Sequence, residues 1–101
     1  MLFTYAAIFQ DNTHDNTCLV SFPNLQHDAY ISYSDKNDLM RQASLELGFA
    51  LWLCEDAGKK FPMHRTISKQ NLPAGAEIRF VNCDYEAFKN ASSVKFFDFS
   101  S

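Results

Sequence analysis

A chain of 101 residues is long enough for one domain with a buried core and needs no disulfide or metal staple. Hydrophobic residues at 47%, charged residues at 21% and ten Phe, four Tyr and one Trp argue against disorder. The net charge is −3, and nine Lys and Arg are scattered without a basic block. That excludes an electrostatic grip on nucleic acid and suits a basic protein partner.

Leu2 to Phe9 is rich in β-formers and reads as a first strand. The run QDNTHDNT, Gln10 to Thr17, follows as a turn, because Asp, Asn and Thr side chains bond the nearby backbone. A second strand spans Cys18 to Phe22. Pro23-Asn24 then turns the chain, since Pro fixes φ and cannot donate to a ladder. A third strand covers Ala29 to Tyr33. Three consecutive strands with short links predict an antiparallel meander.

Asp35 is placed to cap a helix, with Asp38 favoured in its first turn by the helix dipole. The helix is expected from Lys36 to Asp56, ending at Gly58 with Pro62 beyond. Leu39, Met40, Ala43, Leu47, Ala50, Leu51 and Cys54 form one apolar stripe at helical period, so that face should pack on the sheet. Lys59 to Ala76 reads as loop, broken by Pro62, Pro73 and Gly75. Ala76 to Asp84 reads as a fourth strand. Its faces stay open, because Ile78, Phe80 and Asn82 alternate with Arg79, Val81 and Cys83. YEAFKNA suggests a helical turn, and VKFFDFS, Val94 to Ser100, a final strand or extended arm. The fold class is therefore α+β: a meander, one long helix on the sheet, then a fourth strand.

The candidates for chemistry are weak. Asp11, His14 and Asp15 could bind a metal in principle, but nothing fixes their geometry and such a turn needs none. His27 and Asp28 are strand neighbours and should point to opposite faces, and His64 lies in the Pro-rich loop. Ser21 and Ser44 lack a nucleophile elbow. Gly48, Gly58 and Gly75 are isolated, so no phosphate loop exists. Cys18, Cys54 and Cys83 are odd in number, far apart and without a CxxC, as for reduced core residues in a cytosolic protein. Cys54 falls on the buried stripe and is a poor nucleophile. No signal peptide or membrane-length apolar stretch is visible. The expectation is a cytoplasmic protein that is not an enzyme and takes no metal or cofactor.

In their order and spacing these segments resemble the N-terminal domain of HicB-like antitoxins from bacterial and phage toxin–antitoxin modules. The likeness runs from FTYAAIF through the acidic turn to CLVSFPNL, which is similar to the family's strand ending in Phe-Pro-Asp-Leu. It continues through DLMRQASLELGFALWL on the helix and LPAGAEIRFVNCDYEAF on the late strand, covering residues 2 to 90. Asn24 stands where many members carry Asp, and the glycines often found in the first turn and before the helix are absent. The resemblance implies a partial RNase H-like fold. It also implies that the chain binds and neutralises a HicA-type mRNA-cleaving toxin. RNase H nucleases need converging carboxylates, one of them in the first strand. Thr4 to Phe9 carries none. Family members usually continue into a ribbon-helix-helix or helix-turn-helix DNA-binding domain. This chain stops at Ser101, near where such a segment would begin, so DNA autoregulation is not expected of these residues or belongs to a part not present here. The alternative is an orphan HicB-fold scaffold or small regulator without a toxin.

Two segments are candidate protein interfaces. Residues 1–90 form the HicB-like domain, and residues 91–101 a C-terminal arm or strand. Val94, Phe96, Phe97 and Phe99 are too apolar for free exposure and are expected to pair with a sheet edge, the chain's own or a second subunit's. Leu45, Phe49 and Trp52 align on the helix face nearly opposite the core stripe. An exposed aromatic row suits a protein contact, first of all a homodimer across a two-fold axis. The competing expectation is that the Lys59 to Ala76 loop covers it through Phe61 or Leu72.

Overall fold

In chain order the strands are β1 (Leu2–Asn12), β2 (Thr17–Phe22) and β3 (His27–Ser32), then helix α1 (Lys36–Asp56) and strand β4 (Ala76–Asp84). A short helix over residues 85–91, α2, follows β4 directly. The computed structural model describes residues 2–12, 14–63, 65, 67 and 72–91. The four strands form one sheet in the order β3-β2-β1-β4 with antiparallel neighbours. This is the expected α+β fold, a meander with a long helix on one face and then a fourth strand, and the register places that strand beside β1. The final strand expected over Val94 to Ser100 lies outside the described residues.

α1 and β4 have the expected bounds, β2 begins one residue earlier, at Thr17, and β1 and β3 differ further. β1 runs three residues past Phe9, because Asp11 and Asn12 continue the ladder opposite Cys18 and Thr17. Its polar end sits at the hairpin tip, where half the ladder faces water. β3 begins at His27, paired with Phe22, and stops at Ser32. Tyr33 has left the ladder and donates its N–H to the Asn16 carbonyl at 3.1 Å.

The turns follow from their residues. In the first, Asp15 accepts from the Thr17 amide at 3.2 Å and the Thr17 hydroxyl at 2.6 Å. Asn16 takes φ 54°, a left-handed conformation that Asn tolerates. Pro23–Leu25 form a single 3-10 turn, closed by the Gln26 amide on the Pro23 carbonyl at 3.3 Å. The Asn24 side-chain amide donates to the Arg65 carbonyl at 3.1 Å and ties this turn to the later loop. Asp35 caps α1 by accepting the Asp38 amide at 2.8 Å, and Asp38 reaches back to the Ser34 amide at 3.0 Å. At the other end Ala57 is the cap residue, and Gly58 adopts φ 73°, where a side chain would strain.

The core lies between the sheet and α1. Tyr5, Ala7 and Phe9 of β1 face it with Cys18, Val20, Phe22, Ile31, Val81 and Cys83. Leu39, Ala43, Leu47 and Leu51 descend from the helix to meet them. Each fully buried large side chain contributes about 1.5–3 kcal/mol, so this single layer contact dominates the fold. The register resolves the faces of β4: Val81 opposes Tyr5 and Cys83 opposes Phe3, on the helix side. Arg79 shares that face at its margin, 5.8 Å above the Phe9 ring and paired with Glu77 at 2.6 Å. The stem of an arginine can cover apolar surface while its head stays wet, which is why the alternation was ambiguous in sequence. No helix of the described residues is long and apolar enough to cross a membrane.

Candidate protein-interaction surfaces

On the solvent side of α1 the row Leu45, Phe49 and Trp52 is only partly open. Leu45 is 48% exposed, whereas Phe49 and Trp52 are half-buried. The Phe49 and Trp52 rings stack at 6.0 Å with planes 21° apart, and Trp52 also packs against the core. Phe49 lies 6.1 Å from the His27 ring, whose Nε2 is 3.0 Å from a Glu46 carboxylate oxygen. Leu53, 42% exposed, extends the patch toward the helix end. Phe61 does not cover this row. It sits between Phe3 at 5.1 Å and Tyr85 at 5.4 Å, edge-on to both. Phe96, Phe97 and Phe99 lie outside the described residues.

Sequence periodicity misplaced Cys54. It is half-buried, and its thiol donates toward the Lys59 and Lys60 carbonyls at 3.6 and 3.3 Å. The helix ends two residues later, and the thiol there meets the chain that leaves it. Cys54 borders a cleft of about 390 Å³ between the Pro23–Leu25 turn and the end of α1, with Leu53, Lys59 and Lys60 on its rim. Cys18 and Cys83 are buried as expected, and burial pushes both thiols up, away from the reactive thiolate.

The polar candidates resolve into local structure. Asp15 is committed to Thr17, and the His14 amide donates to the Asn12 side chain at 3.1 Å. Asp11 lies within β1 on the helix side of the sheet and accepts from the Tyr33 hydroxyl at 2.5 Å. The first strand therefore does carry a carboxylate, beyond the segment where the sequence placed its end. Among the described residues no three His, Cys, Asp or Glu side chains are grouped to hold a metal. His27 faces the helix and Asp28 the solvent, as strand neighbours must. Ser44 donates to the Asn82 carbonyl at 2.6 Å and fastens α1 to β4. His64 lies outside the described residues.

Sequence reasoning missed the outward face of the sheet. By register it carries Leu2, Ala6, Ile8, Leu19, Tyr30, Ile78 and Phe80 interleaved with polar residues that include Thr4, Gln10, Ser21, Asp28 and Asn82. Tyr30 is 82% exposed, Leu2 63% and Phe80 61%. The signal was present as the open alternation in β4 and the odd apolar residues of β2 and β3. It became readable only once the register fixed which residues share a face.

A scan against protein-family models matches none, and no curated protein matches. Among solved structures the fold is similar to a chain of a toxin–antitoxin complex from Streptococcus pneumoniae. The TM-score is 0.67 at 17% identity, over 87% of this chain and 73% of that one.

Proposed function

We propose that this chain is an antitoxin-like binding protein of the HicB kind, which neutralises a HicA-type mRNA-cleaving toxin by direct contact. The observation that carries the reading is the shared fold with a component of a toxin–antitoxin complex over 87% of the chain. It agrees with the resemblance carried by CLVSFPNL and the helix that follows. The role asks for surfaces, not chemistry, and the solvent side of α1 offers one with Leu45 and Leu53 exposed. The acidic balance of −3 suits a basic toxin.

The toxin is assigned to the solvent side of α1. Leu45 there stands proud of the Phe49–Trp52 stack, and Glu46, Glu55 and Asp56 give the helix an acidic excess. Aromatic anchors within a charged rim are the usual anatomy of a protein contact. Phe96, Phe97 and Phe99 are assigned to protein contacts by composition alone. The test is to look for a short basic reading frame beside this gene, to arrest cells with its product, and to measure rescue of growth by this chain with co-purification of the two. Rescue and a stable complex are expected. Arrest that persists while this chain accumulates in folded form overturns the proposal.

A further inference from the structure

The Pro23–Leu25 turn and the end of α1 bound the cleft of about 390 Å³ on which Cys54 lies. A second hollow of about 440 Å³ shares Pro23, Asn24 and Pro62 with it and extends to Met63 and Arg65, so the two form one groove. Leu25, Ala50, Leu53 and Pro62 give the first hollow apolar walls, and Met63, 84% exposed, stands in the second. The charge along the groove is one-sided. Lys59, Lys60 and Arg65 line it and no Asp or Glu does, although the chain carries a net charge of −3. His27 also lines it, and the Glu46 carboxylate at its margin is 3.0 Å from His27 Nε2. Other cations are engaged elsewhere: Arg41, Arg79 and Lys89 pair with Asp38, Glu77 and Glu55. Among the described residues Lys59, Lys60 and Arg65 make no ion pair, and Lys36, at the start of α1, is the only other cation without one. The groove is held in shape from below. The Asn24 side-chain amide donates to the Arg65 carbonyl at 3.1 Å, the Cys54 thiol to the Lys60 carbonyl at 3.3 Å, and the Tyr5 hydroxyl to the Pro62 carbonyl. Carbonyl oxygens that would oppose an anion are thereby engaged by the body of the chain.

We propose that this groove docks an acidic peptide segment of a second protein, with apolar residues of the segment on Leu25, Leu53 and Pro62 and its carboxylates on Lys59, Lys60 and Arg65. Charge complementarity selects the occupant. Cations without an ion pair take up a carboxylate without first breaking a bond within the chain, and the charge-assisted hydrogen bonds they form are the stronger kind. A lysine just past a helix also favours the helix dipole, but that effect fades within the last turn and does not account for Arg65, nine residues beyond Asp56. Because the loop is tied down by Asn24, Cys54 and Tyr5, little ordering cost falls on it when a segment binds. A nucleic acid strand would use aromatic rings to stack its bases. No Phe, Tyr or Trp lines the groove, and the chain as a whole is acidic. A basic toxin is repelled by the same three cations, so the inference does not rest on the toxin reading.

The probe is a fluorescein-labelled decapeptide of alternating Glu and Leu, titrated with the full chain and read by fluorescence anisotropy. Binding at micromolar concentration is expected, and a decapeptide of alternating Lys and Leu is expected to bind at least tenfold more weakly. Lys59→Glu with Lys60→Glu, both exposed positions, is expected to weaken the acidic peptide at least tenfold with the melting temperature of the parent. Lys36→Glu, at the other end of α1, is expected to change its affinity less than twofold. Amide NMR shifts on adding the peptide to the parent chain, which need no variant, are expected to centre on Leu25, Leu53, Lys59 and Lys60. Failure of the acidic peptide to bind overturns the proposal. So does an affinity that the folded double variant retains, or a set of shifts centred elsewhere. If a single-stranded oligonucleotide moves the same amides at lower concentration than the peptide does, nucleic acid is the occupant and the proposal fails. If the full chain alone is a dimer that the double variant splits, the acidic surface of a second copy is the occupant, and the proposal fails likewise.

Discussion

Gly48 and Phe88 meet with no room for a methyl group between them: a Cβ on Gly48 would lie 2.6 Å from Cγ of the Phe88 ring. A glycine in mid-helix usually costs stability, and replacing it with Ala usually gains about 1 kcal/mol. Here overpacking, at about 1–3 kcal/mol, outweighs that gain. Gly48→Ala is therefore expected to lower stability, by up to about 2 kcal/mol in urea melts. In a Phe88→Ala background the same change should stabilise, because the clash is gone. A Gly48→Ala protein more stable than the parent contradicts the close packing of α2 on α1.

The start of α1 makes a prediction in acid. Asp38 is held down to about 2, first by the Ser34 backbone amide and then by Arg41, against an ordinary value of 3.8. A carboxyl lowered in the folded state stabilises fully above its unfolded value, and the contribution is lost as pH falls through its folded value. Stability from Asp38 should thus be intact above about pH 4 and fade toward pH 2. Urea midpoints of the parent and Asp38→Asn are expected to converge over that window and to stay apart at neutral pH. Asp35→Ala, which removes the cap itself, should cost about 1 kcal/mol at neutral pH.

Tyrosines make the alkaline counterpart. Burial pushes the Tyr85 hydroxyl up to about 12, and the nearby Glu55 carboxylate adds to it. That hydroxyl has no hydrogen-bond partner among the described residues. Tyr33 is pushed up to about 12 by its hydrogen bond to Asp11. For a group raised in the folded state, stability is complete below the unfolded value near 10 and is lost as pH rises through the folded value. Ultraviolet titration of the folded chain should show tyrosines ionising late. Tyr33→Phe and Tyr85→Phe should each remove one such step. Tyr85→Phe should also leave neutral-pH stability unchanged or higher, since it deletes an unpaired buried hydroxyl. A large loss there would mean that the hydroxyl is paired.

The helix row separates binding from folding. Leu45 is exposed, so Leu45→Asp should leave the melting temperature unchanged and weaken toxin binding at least tenfold in calorimetry. Phe49→Ala should weaken both, because its ring is stacked on Trp52. Unchanged affinity in Leu45→Asp moves the toxin to another surface.

Much of this architecture was legible because local signals and global packing agree. Asp35, the stripe from Leu39 to Leu51 and Gly58 delimit α1, and the bounds of β4 follow from its own β-formers. Legibility failed where the deciding contact is remote in sequence. Asp11 extends β1 because Cys18 lies opposite it, and no propensity of an aspartate announces that. Cys54 looks buried by period, but its thiol turns to the Lys59 and Lys60 carbonyls, which follow the helix. The make-up of the outer face was hidden for the same reason: Phe80 and Ala6 become neighbours only through register, and Tyr30 joins the same face only through Leu19. The helix row was visible, since Leu45, Phe49 and Trp52 are spaced within one helix. How far it is covered depends on His27 and the core, which periodicity does not report.

The most direct test of the central claim is RNA cleavage by the adjacent gene's product, measured while this chain is titrated in. The proposal predicts that cleavage falls in proportion to added chain and stops at a fixed stoichiometric ratio. It also predicts that Leu45→Asp shifts the curve to higher concentration. Cleavage that continues undiminished in excess folded chain would contradict an antitoxin role.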